Sequence, residues 1–364
     1  MELLLSDEQK LLGDSAARFA ERKAGPKAAR AQRTTATGYD RALMREVGDN
    51  GWLGILVPES AGGLGLGLTE LALVLEQAGR GLITAPILAT AISARTIAEG
   101  DSAELRDKVL PGLIAGTSIV LPAMGDVTTH TLKAADGKNG GLTLNGKMDA
   151  VPAAAGADGF IVGLNGPKGD VLAYVPANAQ GLKVTTQRTV DGGNIATLAL
   201  SNAAVPAAQI IAGPNRAPML GAALYEATLV GTGAELLGVM GRALDIALDY
   251  LKVRKQFDRP IGAFQALQHR SVNEYIEVET TRSLVFEACA AMDQGRGHTS
   301  MAHAVKAKAS GSALRVCKAA IQLHGAIGFT DEHDIGLFLK RAMALAAAYG
   351  NDSFHRARLA QGLV

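Results

Sequence analysis

The chain has 364 residues, 48% of them hydrophobic but only 4% aromatic, and its 36 basic and 35 acidic side chains leave a net charge of +1. That length is long for one core and points to two or three subdomains packed from Ala, Leu, Val and Ile. The balanced charge, with no basic patch or tail, disfavours a nucleic-acid partner, and a cysteine complement of Cys289 and Cys317 argues against a disulfide framework or a cysteine-based metal site.

The opening residues Met1–Glu8 turn acidic at once, and no segment has the length of a membrane span, so a cytoplasmic protein independent of membranes is the expectation. Residues 1–116 read as helical. Ser6 followed by Asp7, Glu8 and Gln9 has the pattern of a capping box, after which Leu11, Leu12, Ala16 and Phe19 recur at helical spacing. The glycine-rich stretch Pro58–Gly67 opens a helix from Leu68. Its Gly63, Gly65 and Gly67 lack the spacing and the βαβ setting of a dinucleotide loop, so a structural turn is expected.

Over residues 117–213 the texture changes to short apolar runs separated by Gly, Asn and Pro. Ser118–Leu121, Gly141–Gly146, Gly159–Gly163, Val171–Val175 and Ala196–Leu200 predict strands of a compact β domain. Over residues 214–364 the helical period returns, with helices predicted at 224–253, 264–294, 300–324 and 333–348. Small residues from Gly221 to Gly241 admit either a wide pocket or tight helix packing, the second being the usual outcome in an Ala-rich bundle. Between the first two of these helices lies Arg254–His269, which places Arg254, Gln256, Phe257, Gln265 and Gln268 around a Pro260–Gly262 turn. An arginine fork and amide side chains at such a joint suit a phosphate-bearing cofactor, the alternative being a solvated helix end.

On three separated features the chain resembles the acyl-CoA dehydrogenase family: Gly51–Gly65 with Glu76–Arg80, Arg254–Gln265 with Gln268 and His269, and Gln322–Glu332 with Leu339–Ala342. The resemblance implies a mainly α fold with a central β domain, comprising an N-terminal helical domain, a small β-barrel and a C-terminal four-helix bundle. It also implies FAD as cofactor, acyl-CoA as substrate, an electron-transfer flavoprotein as acceptor, and a homo-oligomer or a heteromeric partner subunit, commonly a tetramer. By the same resemblance Arg254 and Gln256 contact the FAD pyrophosphate and adjoining atoms, and Phe257 packs on the adenine side. Phe264 and Gln265 then lie along the dinucleotide, and Gln322, Leu323, His324, Gly325 and Ala326 form a turn against a neighbour's flavin.

Departures from the family pattern bear on the chemistry. Ala326 and Asp258 stand where glycine is common. The glutamate that removes the substrate's α proton is absent from both usual positions, which fall at Gly350 and Thr228, and the family's arginine falls at Leu229. Glu226, Glu235 and Asp352 are the nearby acids that could replace that base, each with a surface or ion-pair role as the plainer alternative. The loop Leu121–Asp126 and the segment Asn145–Pro152 lack the expected hydroxyl and indole, and Trp52, the only tryptophan, reads as packing. The neighbour-facing half of the flavin site thus looks complete and the substrate-facing half eroded, as in paired subunits of heteromeric acyl-CoA dehydrogenases. Two functions follow: a flavin-dependent dehydrogenase, or a non-catalytic subunit that completes another chain's FAD site.

Overall fold

The computed structural model describes residues 5–124 and 131–362, so Gly125 and Asp126 of the loop singled out above lie outside the described residues. Helices come first, as α1 (Asp7–Lys23), α2 (Pro26–Gln32), α3 (Arg41–Asp49), α4 (Leu68–Arg80), α5 (Ile87–Glu99), α6 (Ala103–Lys108) and α7 (Leu110–Ile114). Strands follow as β1 (Val120–Ala123), β2 (Lys133–Asp136), β3 (Leu142–Pro152), β4 (Gly159–Gly166), β5 (Gly169–Pro176), β6 (Leu182–Arg188), β7 (Asn194–Val205) and β8 (Ile210–Ala212). The remainder is α8 (Ala217–Val253), a hairpin of β9 (Lys255–Gln256) and β10 (Arg259–Pro260), then α9 (Gln265–Asp293), α10 (Thr299–His324), α11 (Ile335–Ala347) and α12 (Asp352–Gly362). The order is the expected one of N-terminal helices, central β-sheets and C-terminal helices. Among the described residues no helix is long and apolar enough to cross a membrane.

The chain resolves into two compact units: one of Met1–Ala31, Ala72–Ile83 and Leu229–Val364, the other of Gln32–Leu71 and Thr84–Thr228. The second unit holds two four-stranded sheets, ordered β1-β4-β5-β8 and β2-β3-β7-β6. β1 runs parallel to β4 at an edge of its sheet, the kind of strand in which a proline such as Pro122 is tolerated. From Asn194 to Leu200 β7 alternates buried and half-buried residues, as a sheet with one covered face requires. The pairing of β3 with β7 slips between Met148 and Val151, where Ala150 takes φ +60°. α5 is buried from Ile87 to Ala94, which explains its lack of a polar face. The Pro58–Gly67 loop closes on itself, with Gly63 N–H donating to Pro58 O (3.1 Å), Gly65 N–H to Val57 O (2.8 Å) and Gly67 N–H to Glu70 Oε2 (2.9 Å). Those amides are engaged within the loop, so it is the structural turn expected. Trp52 is buried and packs within this unit.

In the first unit the predicted capping box forms, with Ser6 Oγ accepting from Gln9 N–H and Gln9 Oε1 from Ser6 N–H. Its core joins α8, α10 and α11 through Leu237, Met240, Leu244, Val316, Ile321 and Phe338. Small residues let α4 and α8 meet backbone to backbone. A Cβ on Gly79 would lie 2.1 Å from Glu235 O, and one on Gly238 would lie 1.9 Å from Glu76 O. Gly233 is likewise filled, at 2.5 Å from Val305 Cγ1. Of the two alternatives for this stretch of small residues, tight packing holds at these positions. Arg80 reaches Asp245 across the same crossing (2.6 Å), and Arg282 of α9 binds both oxygens of Glu76 (2.9 and 2.8 Å).

Candidate functional site

Arg254 follows α8 directly, and the chain reverses through β9 and β10 before entering α9. Gln256 pairs with Arg259 across this hairpin, and the two residues between them, Phe257 and Asp258, take φ +53° and +60°. Two consecutive positive φ angles are the signature of a type I′ turn, and Asp is among the few non-glycine residues that tolerate it. Asp258 therefore replaces glycine without altering the backbone. Ile261 N–H donates to Arg254 O (2.8 Å), Gln268 Nε2 to Gly262 O (2.9 Å), and the Arg259 guanidinium lies 4.2 Å above the Phe264 ring. These contacts fix the joint without using the guanidinium of Arg254.

The end of α10 approaches the same joint. Its C-cap Gly325 takes φ +68°, a conformation L side chains rarely adopt. Gly328 allows close approach, since a Cβ there would stand 2.7 Å from Ile321 O. Together these segments enclose a cavity of about 500 Å³ lined by Arg254, Gln256 and Gln322 through Ala326, with Tyr250, Ile261, Ala266, Leu267 and Arg270. The structure thus brings together seven of the residues singled out in the sequence. Phe257, 85% exposed, packs edge-on against Phe264 at 6.0 Å, and Phe257, Phe264 and Gln265 stand outside the cavity wall.

The wall contains two arginines and no carboxylate. Neither the Arg254 nor the Arg270 guanidinium makes a hydrogen bond or ion pair among the described residues. Gln256 Nε2 donates to Lys255 O (2.9 Å), which leaves its carbonyl oxygen for another donor. His324 is stacked between Tyr250 (4.5 Å) and His333 (4.4 Å) and donates from Nδ1 to Ala320 O (2.7 Å). Burial, with His333 adding to it, lowers the His324 pKa, so the ring is neutral and adds no charge to the wall. Its Nε2 is sealed without a partner. A positively charged cleft with amide groups suits an anion carrying polar substituents, and the residues fit a nucleotide pyrophosphate.

The candidate bases are not gathered in this way. Glu235 is buried and accepts from Arg341 Nε (3.1 Å) and Nη2, an ion pair that fixes its carboxylate. Asp352 begins α12, 3.9 Å from Arg356 Nε. Glu226 is half-buried on α8 within the other unit. Thr228 donates its hydroxyl to Leu224 O (2.7 Å), the ordinary bond of a threonine inside a helix.

Around Gly350 the structure reveals a cluster that no sequence motif announced. Tyr349 and Gly350 take φ +59° and +104°. Lys306, fully buried, donates to Ser310 Oγ (3.0 Å), Ala346 O (3.0 Å) and Gly350 O (2.9 Å). Three acceptors match the three N–H groups of an ammonium, while burial brings the Lys306 pKa down to about 7 against the pull of Asp352. His355 Nε2 lies 3.2 Å from Tyr349 O, which can only accept; His355 Nδ1 is then the acceptor for His303 Nδ1–H at 2.7 Å. Burial, the Lys306 charge and His303 push the His355 pKa down to about 4. The available signal was His303, Lys306 and Ser310 at spacings of three and four on one face of an apolar helix.

Two family models match the chain: the acyl-CoA dehydrogenase N-terminal domain over residues 6–117, and the acyl-CoA dehydrogenase C-terminal domain over residues 227–364. Acyl-CoA dehydrogenase IpdE2 of Mycolicibacterium smegmatis is 31% identical over 95% of this chain and 96% of its own length. Acyl-CoA dehydrogenase FadE27 of Mycobacterium tuberculosis is 31% identical over 89% and 88%. Among solved structures, a Tcur3481-Tcur3483 steroid ACAD variant superposes with a TM-score of 0.89 at 31% identity, covering 98% of both chains. The ChsE4-ChsE5 complex from Mycobacterium tuberculosis gives 0.89 at 26% identity over 100% and 99%.

Proposed function

The chain belongs to the acyl-CoA dehydrogenase family, and from that premise we propose that it serves the FAD-dependent α,β-dehydrogenation of an acyl-CoA thioester within an assembly of two or more chains. The observation that carries this reading is the cavity in which the Arg254 guanidinium, without a partner among the described residues, meets Gln256 and Gln322–Ala326 with no carboxylate in the wall. FAD, when bound, supplies the acceptor for the substrate's β hydrogen. Arg254 would offer its fork to the pyrophosphate, and Gln256 its unused carbonyl to a donor on the cofactor. The Gly325 turn lets backbone approach closely, and neutral His324 leaves the field of the arginines undiminished. An electron-transfer flavoprotein is the acceptor this family reading implies.

A second reading is favoured by one observation, the Gly350 turn. There a positive φ and the Phe354 and His355 rings disfavour a side chain at the position where the resemblance places the base, while Glu235 is held by Arg341. On this reading the chain completes the flavin site of another chain, which fits relatives solved as a named complex such as ChsE4-ChsE5.

The visible spectrum of the chain purified alone, before and after anaerobic addition of a panel of acyl-CoAs, separates the two. Bound flavin that bleaches indicates a self-sufficient dehydrogenase. A colourless or inert chain that confers activity on mixing with a second subunit indicates the completing role, and Arg254→Ala should abolish it. A chain that binds no flavin and leaves every partner's flavin unchanged refutes both.

A further inference from the structure

The geometry points to Arg270 as a second phosphate-binding cation in the cavity of Arg254, so that the site takes a dianionic diphosphate rather than a single negative charge. This rests on the flavin reading above and adds to it a residue outside the Arg254–Gln265 segment on which that reading was built. Arg270 stands in the second turn of α9, and the fold returns it to the wall that Arg254 reaches from the end of α8. Its guanidinium is exposed and makes no hydrogen bond or ion pair among the described residues. Two unpaired guanidiniums on one cleft, with no acid in the wall, give it a doubly positive field that favours a ligand carrying two linked negative charges.

The competing role for Arg270 is to compensate Glu274, one turn further along α9. That carboxyl is buried, its Oε2 lacks a hydrogen-bond partner, and burial raises its pKa against the opposing pull of Arg315 and then Arg270. No ion pair joins Arg270 to Glu274, and Arg315, which pairs with Glu277 (2.8 Å), exerts the larger pull on that carboxyl. Arg270 therefore keeps its five donors for the cavity.

The test is equilibrium binding of FAD, and separately of ADP, to the full chain and to Arg270→Gln, Arg270→Lys and Arg254→Gln, each at low and high salt. ADP carries the diphosphate and needs nothing from a partner chain. Loss of one charge-assisted contact should weaken both ligands roughly tenfold or more in Arg270→Gln and flatten the salt dependence. Arg270→Lys should keep the salt dependence and lose only part of the affinity, and the melting temperature should be unchanged. If Arg270→Gln binds as the parent does while Arg254→Gln is weakened, Arg270 has no such role and the flavin reading stands. If Arg270→Gln loses stability but not affinity, Arg270 serves Glu274 instead. If the parent chain binds neither FAD nor ADP, the flavin reading itself fails.

Discussion

Installing a carboxylate at position 350 should not create a working base, and should cost stability. Gly350 takes φ +104°, and a Cβ there would lie 2.6 Å from Phe354 Cδ1 and 3.0 Å from His355 Nε2. Holding an L residue at that φ costs about 1–3 kcal/mol. The Phe354 ring is half-exposed and can swing aside, so crowding adds only about 1 kcal/mol, for a total of about 2–4 kcal/mol. Gly350→Ala isolates this steric part, and Gly350→Glu adds the charge. The new side chain would leave the backbone toward the Phe354 and His355 rings, where Lys306 and His355 already spend their donors on Ser310, Ala346, Gly350 and Tyr349. Urea unfolding followed by helical ellipticity should show a lower midpoint at constant slope for both variants. Anaerobic mixing of Gly350→Glu with acyl-CoA should leave bound flavin unbleached. A Gly350→Glu protein as stable as its parent and able to bleach flavin would refute the reasoning.

Other consequences are equally concrete. His355 is held down to about 4 in the folded chain against 6.5 when unperturbed, so the unfolded chain binds more protons between those values. Stability should be fully present above pH 6.5 and fall as pH drops toward 4, by on the order of 3 kcal/mol, a slope that His355→Asn should flatten in melts across that range. Glu235→Ala should leave the half-buried Arg341 without its carboxylate and lower stability by about 2–4 kcal/mol in urea titrations; a loss of turnover without loss of stability would instead mark Glu235 as a base. Gly238→Ala gains about 1 kcal/mol of helix propensity but must part α8 from α4, so a net loss of about 1–2 kcal/mol and a lower melting temperature are expected.

The helices and strands with strong periodicity were legible: α8 through α11 and β3, β4, β5 and β7 fall where the pattern placed them. β2, β6 and β8 were not, because they are short or largely exposed edge strands whose residues alternate weakly. α12 was missed because its residues, Asp352–Gly362, are mostly polar and present no apolar stripe. Within the site, Arg254, Gln256 and the Gln322–Ala326 turn announced themselves as donor types beside glycines. Arg270 and Tyr250 did not, since an arginine or tyrosine on a helix looks alike whether it faces solvent or a cavity. The pairing of Glu235 with Arg341 joins positions far apart in the chain, and no local pattern encodes it.

The Lys306 ammonium bears on how the end of the chain opens. One lysine on α10 ties down the last turn of α11 and Gly350, two residues before α12, while His303 holds His355 within α12 itself. A terminal helix docked only by apolar contact frays residue by residue, and its amide protons exchange with solvent progressively faster toward the end. Here release of the final segment requires breaking a three-way hydrogen-bonded junction and a histidine pair at once. Backbone amides from Asp352 to Gly362 should therefore exchange deuterium as one block, opening together with α10 rather than ahead of it.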